Sequence, residues 1–197
     1  MSRLQQALKA FDKLNGQDPN QVDYGGGKIA KEQLYSQRMY TRLLQFEPNA
    51  SEALILAVYS QHIQRWKIAR DTYPMNRKGY KQWRQRLALF HAETAATVLA
   101  GLGYEQETIA RVQYLLQKKG LKRDEDSQTL EDVACLVFIE HYLAEFADKH
   151  SEEKLIGIIQ KTWRKMSEKG RQTALDIELP KTLKVLILNA VKSISLG

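Results

Sequence analysis

Apolar residues recur along this chain at three- and four-residue intervals, the spacing that gathers them on one face of an α-helix. The pattern predicts helices at about Ser2 to Leu14, Ile29 to Phe46, Ser51 to Lys67, Tyr80 to Ala100, Gln106 to Lys118, Leu130 to Lys149, Glu152 to Ser167 and Leu183 to Ile194. No segment alternates apolar and polar residues between hairpin turns, so the expected fold is all-α. Between the first two helices, NGQDPNQVDYGGG carries a proline and three consecutive glycines and reads as a flexible loop. The sequence FEPNAS breaks the second helix, and its Ser51 is a good N-cap for the third. Gly101, Gly103, Gly120 and Gly170 stand where C-terminal caps would be useful.

Length and composition place these helices in one domain. The chain has 197 residues, 43% hydrophobic and 27% charged, enough apolar material for a single compact multi-helix domain over 1–197. Within it, 1–28 reads as an N-terminal helix with its loop and 29–197 as the helical core. The longest apolar run, Val133 to Ile139, is far shorter than the ~20 residues that span a bilayer, and MSRLQQALKAFDK has no signal-peptide stretch. The expectation is a cytoplasmic protein with no membrane partner. Cys135, the single cysteine, excludes an intrachain disulfide and reads as a buried small hydrophobe.

Charge changes the picture more than composition does. The net charge is +7. Between His62 and Phe90 stand eight cations (Arg65, Lys67, Arg70, Arg77, Lys78, Lys81, Arg84, Arg86) and one acid, Asp71, while the rest of the chain holds 22 of each sign. Aromatics are interleaved with these cations: Trp66, Tyr73, Tyr80, Trp83 and Phe90. Guanidinium forks bind phosphate and aromatic faces stack on bases, so the stretch suits a phosphate-bearing small molecule, a nucleotide, or RNA or tRNA. The candidate binding residues are Arg65, Trp66, Arg70, Tyr73, Arg77, Tyr80, Trp83 and Arg84, with Lys118 from a smaller basic cluster.

Two histidines bracket that stretch. His62 continues the stripe Leu54, Ile55 and Val58, and His91 stands four residues after Leu87 on a stripe of Trp83, Leu87, Phe90, Thr94 and Val98; both should point inward. Glu131 and Asp132 precede the apolar run VACLVFI, with Asp132 on the face of Cys135, Leu136 and Ile139. Two inward imidazoles and an inward carboxylate form a set able to hold a divalent metal ion. Each also has a structural reading: a hydrogen-bonded core histidine, and for Asp132 the N3 acid of a capping box opened by Thr129.

The segments QDPN, LYSQRM, QHIQRW, YPMNRKGYKQWR, FHAE, LEDVACLVFIEHY and KTWRKMS resemble the family known as domain of unknown function 4202, over nearly the whole chain. More distantly, the order His62, His91 and then a carboxylate opening an apolar helix is similar to the HD superfamily, helical metal-dependent phosphohydrolases with a few oxygenase relatives. That likeness implies an HD-like fold and a hydrolase of phosphorylated nucleotide-type substrates, with His62, His91 and Asp132 as catalytic, metal-holding residues. In that superfamily an aspartate directly follows the second histidine. Here Ala92 follows His91 and Glu93 comes one place later, so either Glu93, Glu131 or Lys118 substitutes, or the scaffold only binds. The alternatives are a non-catalytic RNA- or tRNA-binding module and an iron-dependent oxygenase on the same scaffold.

Overall fold

Ser2 opens the first helix, α1 (Arg3–Asn15), with a capping box: its hydroxyl accepts the Gln5 N–H at 3.2 Å, and the Gln5 side chain accepts the Ser2 N–H at 2.9 Å. In the computed structural model, residues 1–195 are described, with side chains through 192. Of the described residues 72% are helical, and the all-α character is as expected. The backbone gathers into two compact units, Met1–Gly120 and Leu121–Gly197.

In the first unit the stretch expected to be a flexible loop folds instead into an antiparallel hairpin, β1 (Gln21–Tyr24) and β2 (Gly27–Ala30), with Tyr24 opposite Gly27. Gly25 and Gly26, at φ +59° and +81°, supply the two positive angles of a tight hairpin turn. The strands are too short and too exposed to imprint an alternation on the sequence; only the Val22–Ile29 pair and Ala30 are shielded. Buried Asp18 ties the hairpin to the following helix, its carboxylate accepting the N–H groups of Asn20 at 2.9 Å and Glu32 at 3.2 Å.

That helix, α2 (Lys31–Phe46), buries Glu32, Ser36, Met39, Leu43 and Phe46, one face at helical spacing. Ser51 caps α3 (Glu52–Ser60) by accepting the Leu54 N–H at 3.1 Å. Most of α3 is buried, and it packs against α1 and α2. It ends at Ser60 and does not reach Lys67. Gln64 lies in the left-handed region (φ 51°, ψ 33°), where an L-residue helix cannot continue, and its N–H donates to Asn15 Oδ1 at 2.9 Å. Asn15 is fully buried and donates in turn to Ser36 Oγ at 3.0 Å. Two single 3-10 turns, Arg65–Lys67 and Arg70–Thr72, then lead to α4 (Arg77–Gly101), capped by Asn76. A side chain on Gly79 would meet the Pro74 carbonyl oxygen at 2.1 Å, so this turn requires glycine. The unit closes with α5 (Gln106–Leu116), packed on α3 and α4.

The second unit holds α6 (Glu125–His141), α7 (Leu143–Asp148), α8 (Glu152–Lys165), α9 (Glu168–Asp176) and α10 (Lys181–Ser195). Helix α6 starts at Glu125, ahead of the expected Leu130, because Asp124 is its cap and accepts the Ser127 N–H at 2.8 Å. Thr129 is therefore no cap, and Asp132 stands two turns inside the helix. The helix expected to continue to Lys149 breaks at Tyr142 (φ −126°, ψ −17°). Helix α9 was not expected. Ser167 caps it by accepting the Gly170 N–H at 3.0 Å, so Gly170 belongs to a first turn and not to a C-terminal cap. Among the described residues no helix is long and apolar enough to cross a membrane.

Candidate functional site

The break after Ser60 shapes the site. Because Gln64 turns left-handed, Arg65 folds back on its own His62, and its Nη1 lies 3.3 Å from His62 Nε2. A guanidinium can only donate, so Nε2 accepts. The proton of this neutral ring is then on Nδ1, which donates to Glu32 Oε2 at 3.2 Å. Tyr35, one turn after Glu32, stacks on the imidazole with ring centroids 4.0 Å apart and planes 11° from parallel, and its hydroxyl donates to Gln61 at 3.3 Å. His62 is 20% exposed. Burial first, and then the positive charges of Arg65, Arg84, Lys118 and Lys31, hold it well below the usual imidazole value.

His91 sits 6.1 Å from His62, centroid to centroid, on the buried face of α4. Its Nδ1 is 2.8 Å from the Ile63 carbonyl oxygen, which can only accept, so Nδ1 carries the proton. Burial, joined by His62, pushes its pKa down to about 3, and the ring is neutral near pH 7. Its Nε2 is therefore a bare lone pair. That atom is buried and has no hydrogen-bond partner among the described residues. Glu32, also buried, is shifted the other way: desolvation raises its carboxyl above the ordinary value, opposed by Arg65, Lys31 and His91.

Beside these rings opens a cavity of ≈ 450 Å³ lined by Gln61, His62, Arg65, Arg84, Gln85, Leu87, Ala88, Leu89, His91, Leu116, Gln117, Lys118 and Lys119. It is contained in the first unit. Two histidines, four cations and three amides share its wall, and among the described residues no carboxylate lines it. Lys118 reaches it from the left-handed residue (φ 55°) that follows α5.

The other residues singled out in the sequence are distributed differently. Arg70 braces its own loop, donating to the carbonyls of Tyr73 at 3.0 Å and Pro74 at 2.9 Å. Trp83 is buried, donates Nε1–H to the Ile68 carbonyl at 2.9 Å, and lies under Arg65 at 4.7 Å and Arg70 at 5.9 Å. Its face is thus covered by the chain's own guanidinium groups. Tyr80 is 48% exposed, Arg77 is exposed, and Trp66 and Tyr73 are half-buried. Glu93 is exposed and stands 3.8 Å from Arg86. In the second unit, buried Glu131 pairs with Lys165 at 3.2 Å, and Cys135 is buried as expected. Asp132 is engaged in its own unit. Its Oδ1 accepts from the Ser167 N–H at 2.8 Å and Gln128 at 3.1 Å, and its Oδ2 accepts the Ser167 hydroxyl at 2.5 Å.

A family model for a domain of unknown function, DUF4202, matches residues 5–187. The chain belongs to that family. No curated protein and no solved structure matches the chain. The DUF4202 cavity can be tested against the divalent metal that the HD likeness implies. A metal ion needs several convergent lone pairs, and among the described residues no group of three or more His, Cys, Asp or Glu is placed to supply them. Both ring nitrogens of His62 are engaged, and a guanidinium faces the one that would ligate. His91 Nε2 offers a single lone pair. The residues present do not fit a divalent ion.

Glu32, Tyr35 and Asn15 escaped the reading of the sequence. A signal for Glu32 exists: the stripe Ser36, Met39, Leu43, Phe46, carried back one turn, lands on it. A polar residue at an inward position is the same sign that marks His62.

Proposed function

We propose that the cavity between α4 and the end of α5 binds a phosphate-bearing small molecule of nucleotide type. The observation that carries this reading is its wall, where Arg65, Arg84, Lys118 and Lys119 join two neutral histidines and, among the described residues, no carboxylate. Such a field favours an anion, and a guanidinium fork suits phosphate. The volume of ≈ 450 Å³ lies in the range of small-molecule sites, and the apolar side chains Leu87, Leu89 and Leu116 offer a surface for a base or ring. His91, neutral with Nε2 bare, is equipped to accept a hydrogen bond from what enters.

The test is equilibrium titration with inorganic phosphate and adenosine 5′-monophosphate. Saturable binding of one molecule per chain is expected, with Arg84→Ala weakening it at least about tenfold, the usual effect of removing a charge-assisted hydrogen bond. Absence of saturable binding, or an unaltered affinity in Arg84→Ala, overturns the reading. A second reading, attachment to an RNA backbone, draws on the exposed Arg77, Lys78 and Lys81 at the start of α4. It requires affinity that falls steeply with salt, and a flat salt dependence removes it.

A further inference from the structure

Two kinds of polar group in the cavity wall, the cations and His91, ask for different things. The cations ask for negative charge. His91 Nε2 asks for a proton donor: it is a buried lone pair, its tautomer is fixed by the Ile63 carbonyl at 2.8 Å, and no described side chain or backbone N–H reaches it. His62 does not share this property, because Arg65 already donates to its Nε2 and Glu32 accepts from its Nδ1. Only 4% of His91 is exposed, so the atom is poorly placed to be satisfied by bulk water. Buried acceptors are nearly always partnered, and an unpartnered one on a residue that lines a cavity points to a donor supplied by a ligand.

Resting on the binding reading above, we propose that the cavity selects an anion that carries its own O–H, such as a monoprotonated phosphate or phosphomonoester, or a phosphorylated sugar whose hydroxyl lies beside the phosphate, with His91 Nε2 accepting that hydrogen bond. Sulfate and phosphodiesters match the charge and approximate shape of a phosphate ester but carry no proton on the anion near neutral pH. Bound in the same place, they set an oxygen lone pair against the lone pair of Nε2. A site built around a hydrogen bond rejects the analogue that lacks it because its own polar group is then left unpaired. The two histidines thus have separate tasks. His62, clamped between Glu32 and Arg65, positions the guanidinium, and His91 reads the proton.

The experiment uses the full chain at pH 7 and follows two readouts. The first is calorimetric affinity for inorganic phosphate, sulfate, dimethyl phosphate and ribose 5-phosphate. The second is the side-chain 15N signal of His91 Nε2 during each titration. Inorganic phosphate is expected to bind on the order of 10–100-fold more tightly than sulfate or dimethyl phosphate, and to move the Nε2 signal toward that of a hydrogen-bonded nitrogen. Ribose 5-phosphate separates the two sources of the donor: if it moves Nε2 and inorganic phosphate does not, the sugar hydroxyl is the donor, and if both do, it is the P–OH. Either result supports the proposal. His91→Gln, which keeps an acceptor, should retain part of the preference for phosphate over sulfate, and His91→Phe should abolish it. Saturation by both phosphate compounds with the Nε2 signal unmoved by either, or a moved Nε2 signal on inorganic phosphate without any preference for phosphate over sulfate, overturns the donor inference and leaves anion binding standing. No binding of any of the four anions overturns both.

Discussion

Replacing Asp132 by alanine separates two roles that the sequence allowed it. A metal ligand can be removed with modest loss of fold, whereas a buried carboxylate that fastens a helix cannot. Asp132 is 1% exposed and accepts three hydrogen bonds, from the Ser167 N–H at 2.8 Å, the Ser167 hydroxyl at 2.5 Å and Gln128 at 3.1 Å. Hydrogen bonds to a charged group contribute roughly 1.5–3 kcal/mol each. Alanine removes all three, and partial hydration of the freed Ser167 and Gln128 groups returns some of that, so the expected loss is about 3–5 kcal/mol. Urea unfolding followed by far-ultraviolet circular dichroism reads it as a lower midpoint at unchanged slope. The folded fraction of the variant should still bind inorganic phosphate with the affinity of the unaltered chain. Stability within about 0.5 kcal/mol of the parent, together with lost binding, would refute the fastening role and return Asp132 to the site.

Gly170→Ala tests the same joint from the other side: its Cβ would lie 2.6 Å from Asp132 Oδ1, so the variant should lose roughly 1–3 kcal/mol in thermal or urea unfolding although alanine is the better helix former. Gln64→Gly, at a left-handed residue, should be neutral or stabilising by up to about 1 kcal/mol, and Gln64→Val destabilising, as judged by melting temperature. His91 has a folded pKa of about 3 against 6.5 unfolded, so the unfolded chain takes up the proton first as pH falls. Its contribution is complete above about pH 6.5 and is lost progressively down to about pH 3, amounting to on the order of 4–5 kcal/mol. The raised carboxyls of Glu32 and Asp12 act in the opposite direction at the acid end. Urea midpoints between pH 4 and 8 should therefore fall toward acid, and less so in His91→Phe.

Much of the helical frame was legible in the residues. The Ser51 cap, the start of α5 at Gln106 and the inward turn of His91 follow from local periodicity, and the structure reproduces each. What escaped the pattern depends on partners distant in sequence. The end of α3 is set by Asn15, 49 residues before Gln64, and no local signal announces a left-handed glutamine. The start of α9 depends on Asp132, 35 residues before Ser167, as much as on its own cap, so no local pattern announces it. The hairpin was hidden because four-residue strands with one shielded pair leave no period to read. At the site, the concentration of cations before His91 was evident, but two of the residues assigned to ligand, Arg70 and Trp83, are held by the chain's own backbone carbonyls. Glu32, which sets the tautomer of His62, stands 30 residues before it and outside any apolar run, so no local spacing joins the two.

The central claim is that Arg65, Arg84, Lys118 and Lys119 make an anion site that needs no divalent ion, and calorimetric titration of chelator-treated protein with inorganic phosphate addresses it most directly. The expected result is saturable one-to-one binding in the presence of chelator, weakened at least about tenfold in Arg84→Ala. Absence of binding in chelator, with binding restored on adding a divalent metal, would contradict the account.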